Sequence, residues 1–162
     1  MTTTPTDNGR ATFSAAVAQM ELLLVALQAA PKFPFLSHPE VPKVPGIYLF
    51  SEDSVPIYVG QSRNLRNRLK QHTGDKSSHF SASFAYNIAK GEAVTAGINV
   101  KRTRAQLSGD PAFAALFTAT RVRVREMDVQ FIEVDDPIVR TMFEIFVALV
   151  LDTVEYNSFE TH

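Results

Sequence analysis

GIYLFSEDSVPIYVG, residues 46–60, holds two short apolar runs around a polar turn, and each run places one tyrosine among its aliphatic residues, Tyr48 and Tyr58. Both runs are rich in β-branched and aromatic residues, so they read as the two strands of a hairpin with Glu52, Asp53 and Ser54 at the turn. Side chains alternate across a strand, which puts Ile47 and Leu49 on one face and Tyr48 and Phe50 on the other, while Ile57 and Val59 oppose Tyr58. A hairpin folded about Asp53 sets Tyr48 directly across from Tyr58. Taken alone, such a pair reads as amphipathic packing. The next segment points elsewhere.

SRNLRNRLKQHTG, residues 62–74, predicts a helix capped by Ser62 or Asn64, with Gly74 just past its end. Leu65, Arg68, Leu69 and His72 fall at i, i+3, i+4 and i+7, one helix face. The two leucines direct that face to the sheet, so Arg68 and His72 are expected to point at the tyrosine side of the hairpin, with Arg66, Asn67 and Lys70 toward water. A guanidinium stays charged at any working pH, and burying it costs several kcal/mol unless an anion accompanies it. A carboxylate or a phosphate would serve.

Working outward, MDVQFIEVDD (127–136) reads as a third strand, since Val129, Phe131 and either Ile132 or Val134 are apolar within an alternating, β-branched run. Asp136-Pro137 supplies an N-cap and a proline at the first helical position, opening a helix to about Leu151. Within TMFEIFVALVL (141–151) Glu144 is the one charged side chain, with apolar residues at every angle around it. An ionised carboxylate there needs a cation, either Arg68 or a metal ion. Residues 81–126 read as two or three helices broken near Gly91, Gly97 and Ser108 to Asp110. Upstream, residues 1–10 are polar and expected to be disordered, and Ala11 to Ala30 reads as a helix with little polar face, to be buried against the domain or against a second copy in a homodimer. A connector punctuated by Pro31, Pro34, Pro39, Pro42 and Pro45 follows.

The expected fold is therefore α/β: a small three-stranded, mostly antiparallel sheet, the hairpin plus a third strand, flanked by helices. The N-terminal helix and connector take residues 11–44, the main domain 45–162, and a helical insertion about 78–126. At 162 residues the chain has the length of one ordinary domain. It contains no cysteine, which excludes a disulfide scaffold, a zinc ribbon and a thiol nucleophile. The opening MTTTPTDNGR lacks the basic start and apolar run of a secretory signal, and no segment gives about 18 uninterrupted apolar residues. A cytoplasmic protein with no membrane partner is expected. The net charge of -1 conceals a segregation, because residues 63–125 hold twelve basic side chains against three acidic ones, a local +9 that leaves -10 for the remainder. Such a field attracts a polyanion although the sum is nearly zero; the plainer alternative is a set of solvated helix faces.

The chain resembles the GIY-YIG nuclease family, through GIY at 46–48, YVG at 58–60, Arg68 and His72 within NLRNRLKQH, Glu144 within MFEIF and Asn157 within EYNSF. The resemblance implies metal-dependent hydrolysis of a phosphodiester, with DNA as substrate and RNA as the alternative. Carried over, Glu144 holds a divalent metal, magnesium first and manganese second, and Arg68 binds the non-bridging phosphate oxygens. Tyr48 is the implied general base on the attacking water, Tyr58 orients water or phosphate beside it, and His72 takes the proton onward. Nearby cations would be needed to bring the phenol's pKa of about 10 down. Asn157 holds phosphate or Glu144 in this scheme, or simply stabilises its loop. The interval between His72 and Glu144 is long, and its basic residues, together with those of the helix at 62–74, are the candidate backbone grip: Arg63, Arg66, Lys70, Lys101, Arg102 and Arg104. Few residues follow Asn157, so no appended DNA-reading domain is expected. The competing readings are a nucleic-acid-binding module that keeps the fold without cutting, and a protein-interaction domain.

Overall fold

Asp53 and Ser54 make the two-residue turn of the hairpin, with φ of 49° and 67°, the left-handed backbone that a type I′ turn requires at both positions. The computed structural model describes residues 5–34, 40–74 and 77–157; the first four residues of the expected disordered start, Pro39 of the connector and Lys76 of the basic stretch lie outside the described residues. A short β1 (Phe33–Pro34) comes first in the chain, and the hairpin strands are β2 (Gly46–Glu52) and β3 (Val55–Ser62), paired antiparallel. Close to the turn Glu52 faces Val55 and Ser51 faces Pro56; a bulge between Phe50 and Ser51 then shifts the register, so that Phe50 faces Tyr58 and Tyr48 faces Gly60. This corrects the direct Tyr48–Tyr58 pairing expected from a turn centred on Asp53. Turn and bulge together displace the register by two residues, and an even displacement keeps every side chain on its face. The two phenols remain diagonal neighbours, ring centroids 6.2 Å apart.

β4 (Asp128–Glu133) lies antiparallel on the other side of β2, with Tyr48 opposite Phe131. The sheet has four strands rather than three, because Phe33–Pro34 of the connector forms β1 and pairs with β4. Proline has no N–H to give to a ladder, and it is tolerated here because β1 is an edge strand. The order is β1-β4-β2-β3, leaving β3 as the other edge.

Alternation along β2 and β3 divides the core into two layers. Ile47, Leu49 and Val59 pack beneath α7 (Pro137–Val150), together with Phe143 and Val147. Tyr48, Phe50 and Tyr58 pack on the opposite side with Leu65 and Leu69 of α3 (Leu65–Thr73), Phe84 and Ile88 of α4 (Ser83–Thr95) and Val124 of α6 (Pro111–Glu126). Asn64, one of the two expected caps of α3, accepts from the Asn67 N–H, and Asp136 caps α7 through the N–H groups of Ile138 and Val139. Residues 78–126, the stretch expected to be a helical insertion, hold three helices, with α5 (Arg104–Ser108) between α4 and α6, and a small core of their own around Tyr86, Leu107 and Phe113. Gly91 does not break α4, contrary to expectation; Phe84, Ile88 and Ala93 stay buried on either side of it.

The N-terminal helix starts at Pro5 rather than at residue 11 and divides into α1 (Pro5–Val17) and α2 (Met20–Ala29), so residues 5–10 are helical. Ala16, Met20, Leu24 and Leu27 pack into the layer beneath α7. Gln130 of β4, 3% exposed, donates from Nε2 to the carbonyls of Leu27, Gln28 and Ala30 (3.2, 3.2 and 2.8 Å) and so satisfies the C-terminal end of α2. Leu22 and Val25 face outward, 74% and 64% exposed. The run Asp7–Ala29 reaches a mean hydropathy of 1.4, apolar and long enough by composition alone to cross a membrane.

Candidate active site at the edge of the sheet

Tyr48 is buried, and its ring lies over Gly60, where a Cβ would collide with the phenol oxygen and Cζ. Gly60 thus provides the slot that fixes the phenol. Arg68 Nε donates to Tyr48 Oη at 3.2 Å, and Tyr48 Oη lies 2.8 Å from Nε2 of His72. His72 is wholly buried in an aromatic cage, its ring 5.4 Å from Tyr48, 5.7 Å from Phe50, 5.7 Å from Tyr58 and 6.3 Å from Phe84. Its Nδ1 has no hydrogen-bond partner among the described residues. Burial, with the Arg68 charge adding to it, holds His72 well below the usual imidazole range, so the ring is neutral. Tyr58 stacks on Phe84, centroids 4.3 Å apart and planes 12° from parallel.

The amphipathic spacing of α3 does bring Arg68 and His72 to the tyrosines. The acidity expected of Tyr48 needs correcting. Burial lifts its hydroxyl well above the ordinary phenol range and Tyr58 adds to this, outweighing the opposite pull of Arg68. Tyr58 is raised by burial in the same way. Neighbouring cations do not make either phenol acidic here; desolvation wins.

Arg68 is part-buried, and its remaining N–H groups reach the Ser81 carbonyl (Nη1, 3.0 Å), Gln71 Oε1 (Nη1, 3.4 Å) and Ser83 Oγ (Nη2, 2.9 Å). Every one of these acceptors is neutral. Glu144 makes no ion pair with Arg68: its Oε1 accepts from the Gln61 N–H at 3.2 Å and its Oε2 from Gln61 Nε2 at 2.8 Å. Burial raises the Glu144 carboxyl above the usual range, against the pull of the Gln61 bonds and, more weakly, of Arg68. The acid belongs to the helix on the opposite face of the sheet, and it arrives beside the phenols because β3 is an edge. The Glu144 charge raises Tyr58, and the Arg68 charge lowers Glu144, so the three groups share one electrostatic neighbourhood. The expected apolar surround of α7 is also corrected, since Ile145, Leu149 and Val150 are exposed.

Asn157 sits on the same edge. Its Nδ2 donates to the Val59 carbonyl at 2.6 Å and its Oδ1 accepts from the Val59 N–H at 3.4 Å, so the side chain pairs with β3 as another strand would. It holds neither Glu144 nor a free face. Of the residues read as a backbone grip, Arg63, Lys70 and Lys101 are exposed. Arg66 pairs with Glu40 at 2.7 Å and donates to the Val41 carbonyl at 2.6 Å. Arg102 pairs with Asp110 at 3.0 Å. Arg104 donates to the His79 carbonyl and lies over the Tyr86 ring at 3.9 Å. Those three already serve the fold.

Sequence reasoning overlooked Gln61, which follows the YVG triplet and holds Glu144 through backbone and side chain; Arg140, 5% exposed, orients it by donating from Nε to Gln61 Oε1 at 3.3 Å. Position was the available signal, because the residue after an edge-strand glycine faces the helix on the other layer. Ser81 and Ser83 were also missed, since partners of Arg68 from another element leave no periodicity to read.

Among known proteins, the GIY-YIG catalytic domain model matches residues 44–104. UvrABC system protein C of Deinococcus radiodurans is 48% identical over 44 residues, 26% of this chain and 7% of that protein. The same-named protein of Aquifex aeolicus is 52% identical over 31 residues, 19% of this chain and 6% of that protein, and Excinuclease cho of Salmonella typhi is 46% identical over 41 residues, 24% and 13%. The similarity therefore spans a small fraction of each relative's length. No solved structure matches. With GIY and YVG on adjacent strands, Tyr48 seated over Gly60 and Arg68 bonded to the Tyr48 hydroxyl, residues 44–104 are similar to the GIY-YIG catalytic domain in both motif and local geometry.

Proposed function

We propose that the protein is an endonuclease that hydrolyses phosphodiester bonds in DNA. The observation that supports this reading best is a pair of uncompensated charges. Arg68 is a part-buried cation among neutral acceptors, and Glu144 is a part-buried carboxylate held, among the described residues, only by Gln61. They influence one another yet do not bond. Leaving both unpaired is unfavourable, and a cation of this kind is suited to a phosphate. The name of one relative, Excinuclease cho, supports a nuclease.

In this reading the phosphate replaces the Ser81 and Ser83 contacts of Arg68, whose fork suits non-bridging oxygens as negative charge moves onto them. The arriving anion weakens the Arg68 field at His72, which is one of the two causes holding that imidazole neutral, so His72 becomes more basic when substrate is present. Tyr48 then takes a proton from the attacking water while passing its own to His72 Nε2, so no free phenolate is required. Tyr58 orients water beside it. Glu144 would hold a divalent ion, magnesium in a largely aqueous shell; among the described residues no three His, Asp or Glu side chains converge, and one desolvated carboxylate with a spare lone pair on each oxygen fits such a water-rich site. When bound, the ion supplies Lewis-acid polarisation of the phosphate.

Incubating supercoiled plasmid with the protein and magnesium should give nicked product, and Glu144→Ala and Arg68→Ala should each lower the rate about a hundred-fold or more. Nicking that persists equally in both variants would remove the assignment. Binding with no nicking under any divalent metal would favour a module that holds DNA without cutting it.

A further inference from the structure

The turn at residues 79–81 connects the site to an exposed aromatic ring. Arg68 donates to the Ser81 carbonyl and to Ser83 Oγ, and Phe80 stands between His79 and Ser81, 67% exposed. Phe80 and Phe13 are the large aromatic side chains exposed to this degree among the described residues, and Phe13 belongs to α1, in the layer beneath α7. Phe80 is held in place from two sides. The His79 ring lies 4.3 Å from it, and the Arg104 guanidinium lies 5.4 Å from its centroid while also covering Tyr86 at 3.9 Å. Below it, Ser81 Oγ donates to the Ser78 carbonyl at 3.1 Å and fixes the turn. His79 Nε2 and Arg104 Nε are buried with no hydrogen-bond partner among the described residues.

From this geometry we infer that Phe80 is a base-stacking platform, and that the protein acts where DNA next to the cleaved linkage is unpaired. The inference rests on the nuclease reading and adds a substrate class to it. An aromatic face costs least to expose when a base covers it, and stacking of this kind accepts any sequence because every base has a π-face. Adjacent Cα atoms are about 3.8 Å apart, so a strand whose phosphate lies on Arg68 has its neighbouring nucleotide within reach of Phe80. Arg104 supplies positive charge at the rim of the same platform. A paired base inside a duplex cannot offer its face, whereas one at a gap, flap or loop can.

The chain contains no tryptophan, so Phe80→Trp makes a unique fluorophore at this position. Titrated with oligothymidylate in the presence of a chelator, where no cutting occurs, Phe80→Trp fluorescence should be quenched in a saturable manner. By anisotropy, Phe80→Ala should bind oligothymidylate about ten-fold more weakly, with affinity for a blunt duplex of equal length altered less than two-fold. The exposure of the side chain means both variants should retain the wild-type far-ultraviolet circular dichroism. A tryptophan unquenched at saturation, or an equal loss on both DNAs, would overturn the inference. Because these readings need no catalysis, quenching with selective loss, alongside no cleavage with magnesium of either the plasmid or a gapped or flapped duplex, would leave the platform standing and sink the nuclease assignment instead.

Discussion

A methyl group on residue 60 would occupy the place of the Tyr48 phenol. In an ordinary strand alanine is better than glycine by roughly 0.5–1 kcal/mol, but at this position the order should reverse. Gly60→Ala is expected to lower stability by about 1–3 kcal/mol through overpacking, read from the urea midpoint, and to reduce nicking further because the displaced hydroxyl leaves His72 and Arg68. An unchanged midpoint would show that the slot is looser than the geometry states. His72 gives a prediction in pH. Its folded pKa is depressed by burial and by Arg68, so at acid pH the unfolded chain binds a proton that the folded chain refuses. Stability from this group is complete above the ordinary histidine value of about 6.5 and is lost as pH falls below it. The urea midpoint should therefore decline below that pH, and His72→Gln, which keeps an acceptor for Tyr48, should flatten the decline. Equal slopes for both proteins would assign the acid sensitivity to other groups. The sequence made the inward aim of Arg68 and His72 readable through helical spacing, but it could not reveal that the cage desolvates the phenols more than the cation acidifies them. That balance depends on how tightly three elements close.

At the scale of elements, what could be read and what could not have separate physical origins. Strands β2, β3 and β4, the Asn64 and Asp136 caps and helix α7 follow from local patterns that tertiary packing reinforces. β1 was hidden because two residues in a proline-rich connector have no period, and pairing with β4 alone defines them. Gly91 misled for the opposite reason: a glycine costs a helix about 1 kcal/mol, less than Phe84 and Ile88 return by burial. The edge position of β3 brings Asn157 its role. With Val59 satisfied on both its N–H and its C=O, Asn157→Ala should cost about 1–2 kcal/mol and speed hydrogen exchange at Val59. Its nicking rate should follow the lost stability and recover on cooling. A large rate loss with an unchanged midpoint would instead give Asn157 a direct hold on substrate.

For the molecule as a whole, the question is how much of the +9 stretch is available to a polyanion. Arg66, Arg102 and Arg123 are committed to carboxylates, Arg123 to both Glu52 and Glu92 at 2.6 and 3.1 Å. Arg104 lies on aromatic rings, and Arg121 and Arg125 donate to the carbonyls of Ser77 and Thr73. Among the described residues of that stretch, Arg63, Lys70, Lys90 and Lys101 are exposed cations without a described partner. The segregated charge visible in the sequence is thus largely an internal bracing of the α4–α6 helices: Arg123 ties α6 to the hairpin and to α4 at once. Each phosphate neutralised contributes about -0.9 to the slope of log affinity against log salt on duplex DNA. Among the described residues, four exposed cations and Arg68 therefore predict a slope of about -4.5, against about -11 if all twelve basic side chains of the stretch engaged. Fluorescence anisotropy with a duplex across a range of salt concentrations measures this directly. A slope near the steeper limit would require the Arg102 and Arg123 ion pairs to open on binding, and Arg123→Ala would then weaken binding to the extent that it relaxes the slope. A slope near the shallower limit leaves those pairs intact and makes the grip on the backbone weak, so that discrimination among DNAs falls to Arg68 and the aromatic turn beside it.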